Sequence, residues 1–346
     1  MKSDLYPDRH YIIPVFIPHK GCPFDCIYCN QKIISGQIKD VGEAEARASI
    51  DTCLSTIPKG SRAEIAFYGG SFTGIPKEQQ IEFLKVANEY IDKGFVNSIR
   101  LSTRPDYIDS GILGYLSEYK VGTIELGVQS LDEDVLKASC RGHSVNDVIT
   151  ASRHIKEYGF ELGIQTMVGL PGDTKEKDIG TAKKVVDISP SIVRIYPTLV
   201  IKETYLEKMY RSGQYKPFTL EETIDICAEL VELYESNNIK VIRTGLQATE
   251  NISENADVVA GPYHPAFGQL VESRIALRKI EALIEEKDYK DSESIIIITG
   301  KRRISDIVGQ KRFNLEYLRK KYGFKAIKVA GQENLDRDII LGKDSK

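Results

Sequence analysis

Three cysteines follow one another at short spacing near the start of the chain. Cys22, Cys26 and Cys29 form a CxxxCxxC pattern between Gly21 and Asn30. Three thiolates on one tight loop can hold three irons of a cubane cluster, whereas clusters that only transfer electrons take four cysteines. An iron without a protein thiolate is open to a small molecule, as the metal of a catalytic site usually is. The spacing therefore predicts a [4Fe-4S] cluster with one open iron.

A structural zinc site is the alternative for the same loop. His19 would complete a Cys3His ligand set with the three clustered cysteines. The other cysteines, Cys53, Cys140 and Cys227, lie far apart in the sequence, and we expect them to be small buried residues rather than ligands. Clustering of this kind favours a metal site in a reducing compartment over disulfides.

The cysteine segment resembles the signature of the radical S-adenosylmethionine (SAM) superfamily. In that signature an aromatic residue precedes the last cysteine, and here it is Tyr28. The resemblance extends from about Tyr11 to Gln247 and is greatest to the Elongator catalytic subunit and the oxygen-independent coproporphyrinogen oxidases. It implies that the open iron binds SAM and that one electron from the cluster cleaves SAM to a 5′-deoxyadenosyl radical. The implied cofactors are the cluster and SAM, and the implied electron donor is a flavodoxin or ferredoxin.

The resemblance also implies which residues contact SAM. The pair Gly69 and Gly70 matches the family motif whose backbone approaches the methionine amine, and glycine permits that approach; taken alone, the pair could be only a turn. Residues 169–172 match the loop that lines the adenine. Arg141 suits a carboxylate because its planar fork can bind both oxygens. The predicted cofactor-binding residues are Tyr28, Gly69, Gly70, Ser71, Thr103, Arg104, Glu125, Gln129, Arg141 and Gln165.

Three residues are candidates for contact with the substrate. Arg194 and Tyr196 lie in a segment that resembles the Elongator subunit, and they could orient a planar heterocycle by hydrogen bonds and packing. His264 is either catalytic or a turn-capping residue. Gln247 and Glu250 are weaker candidates.

Alternating strand and helix patterns must position these residues. Strand-like runs lie at 11–17, 63–68, 98–102, 123–128, 161–167, 192–196 and 240–243, and helical patterns include 42–57, 77–91, 145–158 and 175–188. Such alternation implies a parallel sheet, in a barrel or an open doubly wound form. Both forms build sites at the carboxyl ends of strands, where the polar segments lie. Two helices are expected to begin with capping boxes, Ser130 with Glu133 and Thr219 with Glu222.

The predicted fold is α/β: a partial (β/α)6 TIM-like radical SAM barrel with a small C-terminal α/β appendage. The 346 residues are expected to divide into a core barrel over 1–250, a loop and helix closing the barrel over 251–290, and a basic βαβ appendage over 291–346. The helix of that appendage is expected over 305–321. No segment reaches the ~18 apolar residues that a membrane helix requires, and the N-terminus shows no signal-peptide pattern. We therefore expect a cytoplasmic protein without membrane contact.

Positive charge is concentrated in the appendage. The chain has a net charge of −3, whereas residues 301–328 hold ten Lys and Arg against Asp306 and Glu316. The segment from Ile307 to Leu315 resembles half of a KH domain, whose GxxG loop clamps a nucleic-acid backbone. Because Arg312 stands at the second glycine position, a tRNA partner is not expected. The alternative to a KH-like unit is a solvated βαβ unit.

The resemblance implies an enzyme that acts on a small molecule from tRNA-nucleobase metabolism. The Elongator subunit has an acetyltransferase domain, for which no residues are expected here, and the segment Gly-Pro-Tyr-His-Pro-Ala-Phe-Gly from Gly261 points instead to the queuine lyase group. Such a carbon–nitrogen lyase would convert queuine to 7-aminomethyl-7-deazaguanine. The alternatives are radical modification of a base within tRNA and a non-catalytic SAM- or RNA-binding regulator.

Overall fold

A computed structural model describes residues 10–17, 26–30, 41–246, 257–286, 289 and 292–343. The strands are β1 (His10–Ile17), β2 (Arg62–Gly69), β3 (Ser98–Thr103), β4 (Val121–Gln129), β5 (Glu161–Val168), β6 (Ile192–Pro197), β7 (Val200–Ile201), β8 (Lys240–Thr244), β9 (Val258–Ala260), β10 (Ser294–Gly300), β11 (Ala326–Gln332) and β12 (Ile339–Lys343). The α-helices are α1 (Glu43–Thr56), α2 (Lys77–Asp92), α3 (Ser110–Glu118), α4 (Glu133–Ala138), α5 (Val145–Glu157), α6 (Lys175–Ile188), α7 (Tyr205–Arg211), α8 (Leu220–Ser236), α9 (Phe267–Glu286), α10 (Ile304–Val308) and α11 (Phe313–Tyr322).

Seven strands form a parallel sheet in the order β1-β2-β3-β4-β5-β6-β8. The sheet is curled, because His10 on the first strand of the sheet and Lys240 on the last strand line the same cavity. β1 and β8 are nevertheless the two ends of the sheet. The predicted partial TIM-like barrel is therefore confirmed, but its sheet has seven strands rather than the six of a (β/α)6 barrel.

Side chains alternate between the two faces of this sheet, as the pleat of a strand requires. On β2, Phe67 packs against Phe83 of α2, with ring centroids 5.9 Å apart. Its neighbour on the other face, Tyr68, lines the concave side of the sheet. One face of each strand therefore builds the core under the helices, and the other is left to build a site.

Contacts divide the chain into two compact units, residues 1–219 with 233–263 and residues 220–232 with 264–346. In the second unit, β10 is central, with β11 parallel and β12 antiparallel to it. Ile280 of α9, Ile297 of β10 and Leu318 of α11 belong to the core of this unit. The sequence-based domain boundaries at 250 and 290 stay predictions.

The βαβ prediction for the appendage was incomplete. Its single helix over 305–321 is two helices, α10 and α11, because Lys311 and Arg312 adopt left-handed backbone angles with φ of 51° and 66°. The strand β12 was not predicted. Among the described residues no helix has the length and apolar content needed to cross a membrane.

Two local predictions were wrong. Helix α4 is capped by Asp132, whose carboxylate accepts a hydrogen bond from Val135 N at 3.1 Å, and Ser130 Oγ instead accepts one from Asp132 N at 3.1 Å. The expected Ser130 capping box is absent because Asp132 stands nearer to the helix. Of the three isolated cysteines only Cys227 is buried, while Cys53 is half-buried and Cys140 is exposed.

Candidate functional site

A cavity of about 940 Å³ lies against the concave face of the seven-stranded sheet, and all seven strands contribute to its lining. The structure brings most of the predicted site residues together here. Lining residues predicted from the sequence are Cys26, Tyr28, Cys29, Gly69, Gly70, Ser71, Thr103, Arg104, Glu125, Gln129, Arg141, Gln165, Arg194 and Tyr196. Cys22, Gln247 and Glu250 lie outside the described residues, as does His19 of the zinc alternative.

Cys26 and Cys29, the two described cysteines of the CxxxCxxC pattern, lie on a turn that other parts of the first unit hold in place. Cys29 N donates to Cys26 O at 2.9 Å, and Ile27 O accepts from Leu206 N at 2.8 Å. The Arg141 guanidinium approaches the sulfur of Cys26 to 3.5 Å. Cysteine sulfurs are the protein ligands of iron–sulfur clusters. The donor set therefore fits an iron–sulfur cluster.

The glycine pair connects the ends of β1 and β2. Gly69 has a φ of 120°, and a Cβ there would lie 2.2 Å from the carbonyl oxygen of Ile17. Only glycine therefore fits, while Gly70 lines the cavity. Beyond the pair, the Ser71 and Thr103 hydroxyls are 2.7 Å apart and hydrogen-bonded, so these two predicted contacts tie β2 to β3.

Arg141 is held by the backbone around it. Its Nη2 donates to Gly127 O at 2.6 Å, and its own carbonyl accepts from Arg104 Nη2 at 2.8 Å. Arg104 in turn pairs with Asp106 at 2.9 Å. A Cβ on Gly127 would come within 2.9 Å of Arg141 Nη2 and 3.0 Å of Gln129 Nε2. Gly127 thus leaves the space in which two predicted SAM contacts lie side by side.

A row of buried charged residues crosses the concave face, and we call Glu64, Arg100, Glu125 and Arg194 the inner-face charge row. Arg100 donates to Glu64 at 2.9 Å and to Glu125 at 3.1 Å. Arg194 Nε donates to Glu125 at 2.5 Å, and its Nη2 donates to Tyr68 Oη at 2.6 Å. Each side chain is hydrogen-bonded to its neighbour, so the row holds its members in place. If Glu125 contacts SAM, it does so through a carboxylate oxygen that already accepts a hydrogen bond from Arg100 or Arg194.

Sequence reasoning missed half of this row. Glu64 and Arg100 each interrupt an otherwise apolar strand, Ala63-Glu64-Ile65 and Ile99-Arg100-Leu101, and both are about 5% exposed. A charged side chain at an inward-facing position of a buried strand needs a partner. The sequence shows these two charged positions, but it does not show the strand register that makes Glu64 and Arg100 neighbours.

Comparison with known proteins identifies the family. The sequence model of the Radical SAM superfamily matches residues 16–185, and that of the Radical_SAM C-terminal domain matches residues 190–276. The chain belongs to the radical SAM superfamily. Its members are enzymes whose cofactors are a [4Fe-4S] cluster and SAM, which confirms both cofactor predictions.

Two curated relatives and one solved structure illustrate the likeness. The tRNA uridine(34) acetyltransferase of Methanocaldococcus infernus is 31% identical over 202 residues, which are 53% of this chain and 38% of that protein. Elongator complex protein 3 of Saccharomyces cerevisiae is 31% identical over 209 residues, 55% of this chain and 38% of that protein. The archaeal M. infernus Elp3 with an N-terminal deletion (1-46) superposes with a TM-score of 0.60 and 23% identity over 81% of this chain and 63% of its own. The chain spans less than two thirds of each, and the superposition shows a shared fold.

Gly127→Ala is expected to weaken SAM binding by this radical SAM protein. The added methyl group would displace Arg141 or Gln129, and loss of one charge-assisted contact costs about 1.5 to 3 kcal/mol, or roughly 10- to 150-fold in affinity. Calorimetric titration of SAM into anaerobically reconstituted protein measures the effect. The matched control is Gly180→Ala in α6, where a Cβ meets nothing within 4 Å. Equal SAM affinity for the Gly127 variant and the parent protein would contradict the assignment.

Two acids, Asp173 and Asp178, adjoin the loop at 169–172 that resembles the adenine-lining segment. Asp178 is 4% exposed, and burial, followed by the charge of Asp173, raises its pKa well above the usual range. Tyr215 Oη donates to Gly169 O at 2.7 Å and anchors the same loop. The loop is not among the residues that line the cavity, so its contact with adenine stays a prediction.

His264 lies in the second unit and not in the cavity lining. Its Nδ1 accepts a hydrogen bond from Ala266 N at 3.0 Å, which is the turn-capping geometry that the sequence left open. A catalytic role for His264 stays a prediction.

Proposed function

We propose that this radical SAM enzyme is a carbon–nitrogen lyase that cleaves the free base queuine. The bond between the amine nitrogen and the cyclopentene ring would break, and the nitrogen would gain the hydrogen that the ring loses. The products would be 7-aminomethyl-7-deazaguanine and a five-carbon fragment derived from the cyclopentene ring. The observation that carries the proposal is the inner-face charge row, which faces the same cavity as Cys26 and Cys29.

The charge row suits a planar base with donors and acceptors on its edges. Glu64 accepts hydrogen bonds from Arg100 through Oε2. Within the described part of the chain this leaves Glu64 Oε1 available to accept a hydrogen bond from a ring N–H group of the base. Arg194 is held against Glu125 and Tyr68, so it can direct an N–H toward a carbonyl oxygen without reorganisation. Fixed dipoles and charges of this kind orient a substrate at little entropic cost.

The size and walls of the cavity are compatible with two ligands. Pockets for one small molecule span about 300 to 1,000 Å³, and 940 Å³ is at the upper end of that range. Phe16 and Tyr68, with ring centroids 6.4 Å apart, both line it and offer flat apolar surface to a heterocycle. When bound, the cluster and SAM supply hydrogen-atom abstraction. The chain's own side chains hold the base and fix its orientation.

Modification of a base within tRNA is the second candidate. The cavity is lined by more cations than carboxylates, with Arg62, Lys240 and Arg243 beyond the charge row. Excess positive charge attracts phosphate. One of the two curated relatives, from Methanocaldococcus infernus, is also named a tRNA uridine(34) acetyltransferase.

Turnover of anaerobically reconstituted protein with SAM and a reductant tests the proposal. Free queuine and queuosine-containing tRNA are supplied separately, and the deazaguanine product is measured. Tyr196→Ala is expected to lower product formation more than uncoupled SAM cleavage, whereas Tyr210→Ala, on the surface, is expected to change neither. Product from tRNA alone would favour the second candidate, and parallel loss of both activities in the Tyr196 variant would make that residue a cofactor support.

A further inference from the structure

The second unit carries an exposed aromatic and basic helix face. Phe313 is 56% exposed and Tyr317 is 37% exposed, and their rings stack at an interplanar angle of 20° with centroids 6.4 Å apart. Positions 313, 317, 320 and 321 share one face of α11 because residues three to four apart are neighbours on a helix. The face therefore combines two aromatic rings with Lys320 and Lys321.

Cations surround the two rings. Lys321 Nζ lies 5.6 Å from the centre of the Tyr317 ring and pairs with Glu281 at 2.5 Å. Lys311, Arg312 and Lys320 are exposed and form no ion pair within the described ranges. Glu316, on the first turn of α11, is the one acidic residue of that helix. The face is therefore net positive at the rings.

The turn before α11 has an unusual backbone that a side chain of the following helix stabilises. Lys311 and Arg312 both have positive φ, which residues with a side chain rarely adopt. Asn314 holds the turn, since its Nδ2 donates to Ser273 O at 2.9 Å and Asp306 O at 3.1 Å. A fixed surface loses little entropy when a partner binds.

We propose that this face binds single-stranded RNA, with bases stacking on Phe313 and Tyr317 and phosphates contacting Lys311, Arg312 and Lys320. Aromatic rings interleaved with cations are the chemistry by which proteins hold single strands. The degenerate GxxG loop led to the expectation of no tRNA partner, but that expectation considered only the loop and not the aromatic rings of α11. The choice of RNA over DNA rests on the proposed function in tRNA-nucleobase metabolism, whereas binding itself requires neither SAM nor turnover.

Fluorescence anisotropy with a labelled single-stranded RNA of about 16 nucleotides tests the proposal on the full chain. Loss of one stacking contact, about 1 to 3 kcal/mol, corresponds to roughly 5- to 150-fold weaker binding for Phe313→Ala and for Tyr317→Ala. Phe95→Ala is the matched control, because Phe95 is 55% exposed and lies in the first unit. Lys320→Gln should lower the slope of log affinity against log salt by about 0.7.

Binding of the Phe313 and Tyr317 variants that equals the Phe95 control would overturn the proposal, and so would equal affinity for a duplex RNA of the same sequence. Circular dichroism of each variant shows that a loss of affinity is not a loss of folding. Queuine turnover is measured in parallel. Failure of RNA binding with intact turnover removes this inference alone, and failure of turnover with intact RNA binding removes the lyase proposal alone.

Discussion

Cys26→Ala is expected to leave the protein without its iron–sulfur cluster. The parent chain should hold about four irons and four sulfides after anaerobic reconstitution, since three thiolates match a cubane with one open iron. Removing one of three ligands exposes a second iron, and the Arg141 guanidinium that approaches Cys26 to 3.5 Å would then face no thiolate. Iron and acid-labile sulfide analysis measures the loss, and SAM cleavage should vanish with it.

The control for this experiment is Cys53→Ala. Cys53 is half-buried in α1, is not part of the cavity lining, and should leave iron and sulfide content unchanged. One zinc per chain without labile sulfide in the parent protein would support the zinc alternative and remove the radical mechanism. Iron loss in both cysteine variants would point to general instability of the fold.

Glu125→Gln is expected to destabilise the first unit strongly. Glu125 is 3% exposed and receives hydrogen bonds from Arg100 and Arg194, so a neutral amide would leave the buried Arg194 guanidinium without a countercharge and Arg100 with Glu64 alone. Removing one partner of a buried ion pair costs about 3 to 5 kcal/mol. Urea unfolding followed by circular dichroism measures the change in the free energy of unfolding.

An exposed arrangement of the same residue types provides the control. Arg47 of α1 donates to Glu89 of α2 at 2.6 Å, with side chains 29% and 45% exposed. Glu89→Gln should change stability by no more than about 1 kcal/mol, because solvent screens surface pairs. A loss of similar size in both variants would mean that the inner-face charge row is as well solvated as the surface pair.

Much of the fold followed from local patterns. The run predicted at 161–167 is β5, Glu161–Val168, and the pattern at 175–188 is α6, Lys175–Ile188. Apolar runs bounded by turn residues set these limits. The cavity residues could be predicted for a related reason: polar segments that follow parallel strands meet at one edge of the sheet.

The remainder depended on contacts between distant segments. Glu64 and Arg100 pair only because β2 and β3 are aligned with Ala66 beside Arg100, and sequence spacing does not reveal a register. The break between α10 and α11 depends on two non-glycine residues with positive φ, which Asn314 stabilises from the following helix. Gly309, which ends α10, is the one sign of a break in the helical pattern across 305–321, and it does not show that Lys311 and Arg312 also leave the helix.

The acids at Asp173 and Asp178 link folding of the first unit to proton uptake. Because burial raises the pKa of both carboxyl groups, the folded chain keeps a proton that the unfolded chain releases near pH 4. The stabilisation is complete below that unfolded pKa and is lost as the pH rises through the raised folded pKa. Unfolding at neutral pH therefore acidifies the solution, and alkaline buffers weaken the part of the fold that holds the loop at 169–172.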